Sequence, residues 1–390
     1  MDRRDRILGL LAVLAVAVYM LACGTRPAWS PDSTRLVFSF ADGDSKTSGL
    51  ALYDLRTEQV SRIFETEGEV LFQPVWLDDR KQIIALAARG DKELDIIQID
   101  LSSGTNRLIK SIPAKEAWVA LMVPPVLAEG RYLFFSFQAD EENAENALHR
   151  FDLKTGELTA AADSVGRYLF HFGKEYIYLG PREREKDGLV LGKLDPKKTD
   201  SIELTILKGE GYGEIGLGLA CKKDGSEFAL ISMREPSGEG SQKKLVVFII
   251  NRRGKVLKEI ELPAEPDLAA IVHMVYGPKD QSLWVPVINP ATTEENKPKE
   301  QDRQYVLSLL EVNVDRGSCQ TVLETIVEDD GYRIQPSISP DGKYLAVVVL
   351  LPTDEENSLL YLVDLTTPER RITKVSLPAK PEPATVPAGE

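Results

Sequence analysis

Histidine and cysteine are the scarcest chemistry in this chain. Three of each occur in 390 residues: His149, His171 and His273, and Cys23, Cys221 and Cys319. Several enzyme classes are excluded with them. The sequence has no H-E-x-x-H zinc helix, no C-x-x-C, no G-x-S-x-G elbow and no P-loop. So few cysteines make no disulfide framework. Pairing of Cys221 with Cys319 across neighbouring blades is the alternative to two free thiols. Cys221 sits by an expected inner hairpin and Cys319 before an expected rim strand, however, so free thiols are expected. Positive charge is also short. A formal net charge of -14 argues against nucleic acid as a partner, and against adhesion of the protein surface to anionic lipid. Helical periodicity is missing everywhere after residue 22. What remains is 43% hydrophobic, enough for a large core in one or two domains.

The N-terminus carries an export address. "MDRRDR" holds three arginines, and Ile7 to Ala22 then run 16 residues without a charge. That is short of the roughly 20 apolar residues of a membrane span, so the run suits the core of a signal peptide, residues 1–22. It ends "MLAC", which resembles the lipobox of bacterial lipoproteins. The resemblance implies lipidation of Cys23 and cleavage before it, leaving 23–26 as a lipidated tether. Met20 and Leu21 depart from the usual lipobox residues, and an uncleaved signal anchor is the alternative. Either way the rest lies outside the cytoplasm, on the cell membrane or, as Gly24 implies by the same resemblance, the outer membrane. Residues 378–390, "PAKPEPATVPAGE", are proline-rich without apolar periodicity and read as a disordered tail.

Between these ends one phrase recurs. "PAWSPDSTRLVFSF" begins at Pro27 and "PSISPDGKYLAVVV" at Pro336. Asp341-Gly342 is a tight-turn signal, because glycine accepts positive φ without steric cost. The flanks are strand-like. Aligning on the turn acid finds Asp32, Asp79, Glu129, Asp224, Asp280 and Asp341, with a worn copy turning at Gly173-Lys174. Proline stands five residues before four of them, at Pro27, Pro74, Pro124 and Pro336. The intervals are 47, 50, 44, 51, 56 and 61 residues, so there are seven copies. Each also carries a second strand pair, in which an apolar strand ends at Asp or Asn before a short turn, as in "LDIIQIDLSSGTNRLI". Four strands per period of about 50 residues predict an all-β, seven-bladed β-propeller of four-stranded antiparallel blades over residues 27–377.

"AWSPDSTRLVFSF" and "SISPDGKYLAVVV", with Trp29 and Trp76 at one motif position, resemble the WD40-like repeat of TolB-type propellers. By that family's geometry the phrase strand is innermost. No spare strand precedes Pro27, so the ring is expected to close by packing its first sheet on its last, as in the open-ringed propellers of prolyl oligopeptidases. TolB itself has six blades and an added α/β domain, for which only "GTR" is left here; its partners are therefore not carried over. Propeller lyases of the pectin-degrading type resemble the fold but use clustered histidines.

No catalytic, cofactor or metal residues are expected. "GYGEIG", 211–216, matches G-x-G-x-x-G but leads into the next repeat, not a helix, so it reads as a blade crossing. His171 and His273 fall on or beside inner strands. Two imidazoles and a carboxylate there would suit a metal, and a hydrogen-bonded histidine in a packed strand is the plainer role. The expected work is binding, as a scaffold for an envelope protein or peptide. An envelope hydrolase or lyase acting at the channel mouth, or a small-ligand sensor, are the alternatives. The interruptions between second and third strands are long and polar, among them "QADEENAEN" and "PTDEEN". All seven together hold 20 acidic against 12 basic residues, an excess of eight within the net 14. Asp140, Glu141, Glu142, Asp354, Glu355 and Glu356 are thereby candidates for meeting a basic partner, with solvation as their simplest alternative role.

Overall fold

The computed structural model describes residues 26–42, 47–68, 70–77, 79–90, 92–115, 117, 124–139, 146–162, 168–172, 175–181, 188–194, 201–208, 218–234, 244–263, 274–290, 305–327, 333–350 and 359–376. The proposed signal peptide, Cys23, the tail and all six candidate acidic residues lie outside them. Among the described residues the protein is all-β, without an α-helix.

An opening sheet comprises β1 (Ala28–Trp29), β2 (Arg35–Asp42), β3 (Thr47–Asp54) and β4 (Gln59–Glu67). Four further sheets repeat its simple order of antiparallel neighbours. They are β13 (Tyr168–Phe172), β14 (Glu175–Pro181), β15 (Gly188–Leu194) and β16 (Ser201–Lys208); β17 (Gly218–Cys221), β18 (Glu227–Arg234), β19 (Lys244–Asn251) and β20 (Val256–Glu261); β21 (Val275–Tyr276), β22 (Ser282–Pro290), β23 (Tyr305–Asn313) and β24 (Ser318–Val327); and a closing sheet of β25 (Arg333–Ile338), β26 (Tyr344–Leu350), β27 (Leu359–Asp364) and β28 (Ile372–Val375). The remaining strands form one eight-stranded sheet. In it, β5 (Val70–Trp76), β6 (Gln82–Arg89), β7 (Glu93–Asp100) and β8 (Thr105–Lys115) precede β9 (Val126–Ala128), β10 (Tyr132–Ala139), β11 (Asn146–Asp152) and β12 (Leu158–Ala162). The two halves join where β8 meets β10, at Lys115 opposite Gln138 and Ala114 opposite Ala139.

Local chemistry explains the strands' ends. In the first hairpin, Asp32 Oδ1 accepts the Ser30 hydroxyl at 2.7 Å, the Thr34 hydroxyl at 2.9 Å and the Thr34 amide at 3.3 Å, while Ser30 Oγ accepts the Arg35 amide at 3.0 Å. Ser339, Asp341, Lys343 and Tyr344 repeat three of these four bonds in the closing sheet, Lys343 having no hydroxyl to match that of Thr34. The S-P-D-x phrase is therefore a self-contained turn: its hydroxyl and carboxylate satisfy backbone amides that the ladder cannot reach. At the outer turns Asp54, Asp100, Asp152, Asn251, Asn313 and Asp364 do the same, each accepting an amide two or three residues on.

Two of the aligned turn acids play another part. Asp280, at φ 54°, occupies the left-handed position that Ser33 holds in the first hairpin, one place past the acid. Glu129 (φ 52°) and Gly130 (φ 62°) are the two central residues of a tighter turn closed by the Arg131 amide on Ala128 O. Counting spacing cannot separate these cases, because each still places an acid within one residue of the bend.

Packing is sheet on sheet. The opening and closing sheets share a core of Trp29, Leu36, Phe38, Phe40, Ala346, Val348 and Leu360. Val37 and Leu50 meet Phe72, Ile83 and Ile97 of the eight-stranded sheet, and comparable layers join the later sheets. Strands buried on both faces read as near-continuous apolar runs, as in "KLVVFIIN". The third and fourth strands of six pairs slip by one residue, for example between Leu50 and Ala51 and between Ile96 and Ile97. Such bulges sharpen the right-handed twist that turns an outer strand away from its neighbours.

Candidate functional site

Two edges of the stacked sheets differ in what they offer. One is set by the short hairpins between first and second strands. The other carries the connections between second and third strands, which include the candidate acids. Asp140, Glu141 and Glu142 follow Ala139 at the end of β10, and Asp354, Glu355 and Glu356 fall between Leu350 of β26 and Leu359 of β27. Both sets thus leave from equivalent strand ends, although the six residues are not among those described.

The hairpin edge is knitted together turn to turn. The Asp341 amide donates to Ser33 Oγ at 3.0 Å, and the Lys223 amide donates to Asp280 Oδ1 at 3.3 Å. In each case the side chain at the left-handed position caps the turn of the preceding sheet, so Asp280's displaced register has a use. Gly342 (φ +73°) lies so close to Pro278 that an added Cβ would come within 2.3 Å of Pro278 Cβ; glycine is required there by backbone and neighbour alike.

Deeper in, the joints between sheets repeat one bond. Trp76 Nε1 donates to Ala28 O at 2.9 Å, with the Arg35 guanidinium 4.9 Å from its ring. Trp29 Nε1 donates to Ser337 O at 3.0 Å, with the Tyr344 ring 6.3 Å away. Arg35 and Tyr344 occupy the same place in their hairpins, since each amide donates to the turn serine. The contact between opening and closing sheets is thus the contact between opening and eight-stranded sheets over again, across 308 residues of sequence. The shared position of Trp29 and Trp76 in the phrase was the visible signal; its bonding partner was not.

Asp32 is a carboxylate of this edge whose charge is strongly favoured by its turn. Burial works against its charge, but the Ser30 and Thr34 hydroxyls, the Thr34 amide and Arg80 outweigh burial and hold the carboxyl down to about 2. A depressed carboxyl stabilises the fold above its unfolded value of 3.8, and that contribution disappears as pH falls through the folded value. Asp32→Asn should therefore show a shallower loss of stability between pH 4 and pH 2 than the native protein, measured as urea midpoints. Equal slopes would mean that the turn network gives the carboxylate no preference.

The scarce residues take quiet places. His149 on β11 stacks against Phe137 with centroids 4.0 Å apart, its Nδ1 lies 3.0 Å from Ala147 O, and burial lowers its pKa. His171 is on β13, opposite Tyr176; His273 and the GYGEIG segment lie outside the described residues. Cys221 and Cys319 are free. Cys221 donates to Glu227 O at 3.4 Å and Cys319 to Glu261 O at 3.9 Å, and burial pushes both thiols up, which keeps them poor nucleophiles. Among the described residues no three histidine, cysteine or acidic side chains converge as metal ligands.

The stacked up-and-down sheets are those of a β-propeller. Solved structures agree on that fold: an oligogalacturonate lyase from Vibrio parahaemolyticus (TM-score 0.55, 15% identity, 90% of this chain and 91% of that one) and the hydrazine synthase of Kuenenia stuttgartiensis (0.53, 14%, 92% and 96%). The propeller domain of the Trilobed protease from Pyrococcus furiosus, described as having an open velcro topology, matches with TM-score 0.52 and 10% identity over 93% of this chain and 98% of that one. At such identities the likeness is one of fold alone. No protein-family model and no curated protein matches the sequence.

Proposed function

We propose that this chain is a lipid-anchored, seven-bladed β-propeller of the bacterial cell envelope, working as a non-catalytic scaffold that binds a protein or peptide. Seven blades follow if the eight-stranded sheet counts as two. Its halves meet in only two residue pairs, and they pack face to face through Ile84, Leu86, Ile96, Phe135, Phe137 and Phe151, as separate blades do. The observation that carries the scaffold reading is the repeated tryptophan joint. The same bond joins the opening sheet to the sheet on either side of it, and a frame fixed at such joints presents loops in fixed relative positions.

Cys23 is the lipid attachment point in this reading, and the membrane is the first partner. The acidic connections between second and third strands form the recognition face for a partner of basic character. Acidic loops near anionic headgroups are repelled within a Debye length of about 8 Å at physiological salt, so a basic partner between disc and bilayer relieves that repulsion. Reversing Asp140, Glu141, Glu142, Asp354, Glu355 and Glu356 to lysine should weaken capture of the native partner several-fold, most at low salt. Undiminished capture by the reversed protein, across salt concentrations, would reduce the acidic crown to solvated loops.

A further inference from the structure

The two halves of the eight-stranded sheet are joined at one end and splayed at the other. Pairing of Ala114 and Lys115 with Ala139 and Gln138 closes the end nearest the second-to-third-strand connections. At the hairpin edge the halves part, leaving a half-open groove of about 370 Å³. Its floor is apolar: buried Ile84 with half-buried Leu77, Ile109 and Leu153. Its rim carries Arg107, Arg131 and Lys154, and among the described residues no carboxylate lines it. That is an unusual surface in a chain with a formal net charge of -14.

The three cations are not equivalent. Arg131 is committed: its guanidinium donates to both Asp152 oxygens, and Glu129 also acts on it. Asp152 further accepts the Lys154 amide at 2.9 Å, which shapes the turn that presents Lys154. Arg107 Nη2 donates at 2.8 Å to the neutral Gln98 amide oxygen, a bond that does not offset its charge. Neither Arg107 nor Lys154 forms an ion pair among the described residues. With Arg131 set against Asp152 and Glu129, two positive charges remain on opposite walls above an apolar floor.

We infer that this groove binds the C-terminal end of a peptide whose last side chain is apolar, with the free α-carboxylate held between Arg107 and Lys154. This rests on the scaffold reading and names a second contact, on the face opposite the acidic loops. The volume is at the small end of the roughly 300–1,000 Å³ of ligand pockets, which suits a terminal residue and part of its neighbour. An open groove favours a peptide end over a long acyl chain, which needs an enclosed apolar tube to bury its surface.

The probes are acetyl-Ala-Ala-Leu with a free carboxylate, the same peptide as its amide, and octanoate, titrated calorimetrically into the folded protein. The acid should bind at least tenfold more tightly than the amide. An Arg107→Glu/Lys154→Glu protein should lose at least tenfold in affinity for the acid while keeping its urea midpoint, since both side chains are exposed. Ile109→Gln, a change at the floor, should weaken acid and amide alike. Equal binding of acid and amide, undiminished binding by the reversed protein, or octanoate binding as tightly as the peptide each overturns the inference. If the peptides fail but a native partner is still captured through the acidic loops, only the groove falls; if both fail, the scaffold reading falls too.

Discussion

Trp29→Ala should destabilise the protein by about 3–5 kcal/mol, the range for emptying a large aromatic side chain out of a packed core. Trp29 is 8% exposed and lies in the shared core of the opening and closing sheets. Its loss removes the ring from between Leu36, Phe38, Ala346 and Leu362, and leaves Ser337 O without its donor. Among the described residues no strand is exchanged between these two sheets, so side-chain packing and single bonds of this type hold them together there. Trp29→Phe keeps much of the ring but not the N–H, and should cost about 1–3 kcal/mol for the stranded acceptor. The measurement is urea unfolding of each variant beside Leu108→Ala, a control at a side chain 56% exposed. If Trp29→Ala unfolds within about 0.5 kcal/mol of that control, the size of an ordinary surface change, the joint is not what closes the ring.

Cys23→Ala should abolish membrane attachment or stall the chain as an unprocessed precursor. Each buried CH₂ of an attached acyl chain contributes about 0.8 kcal/mol to membrane binding. Acyl chains on Cys23 would thus supply the membrane affinity in this reading, and its removal should shift the protein strongly toward the soluble fraction. The readout is partition of the protein between membrane and soluble fractions, together with its apparent mass. A variant that stays membrane-bound at the normal mature size would show that the 16-residue apolar run from Ile7 to Ala22 is itself the anchor. That outcome would leave the propeller outside the cytoplasm and change only how it is tethered.

Much of the architecture was legible because its determinants are local. Strands that lead into the repeated short hairpins begin at Ala28, Val70, Val126, Tyr168, Gly218, Val275 and Arg333, close to the phrase copies counted by spacing. A turn that satisfies its own amides with a serine and an aspartate two residues apart is written within six positions, and a pattern of residues can state it. The same holds for the outer turns after β3, β7, β11, β19, β23 and β27, each of which ends in Asp or Asn. The six acids were proposed from charge and position, and Cys23 from its resemblance to a lipobox cysteine, so the folded strands add only where the acidic loops depart.

Tertiary structure alone decided the rest. Nothing near Trp29 in the chain says that its indole donates to Ser337, 308 residues away, or that Tyr344 stands where Arg35 stands for Trp76. Asp280 looks like a turn acid by spacing, and only the neighbouring Lys223 amide shows why it sits one place further on. Most plainly, β8 is eleven residues long, and its last residues reach β10. That reach joins two sheets at one end and opens a cationic groove at the other. Propensity sets where a strand begins, but how far it runs depends on which edge is free beside it, and that edge belongs to a different part of the chain.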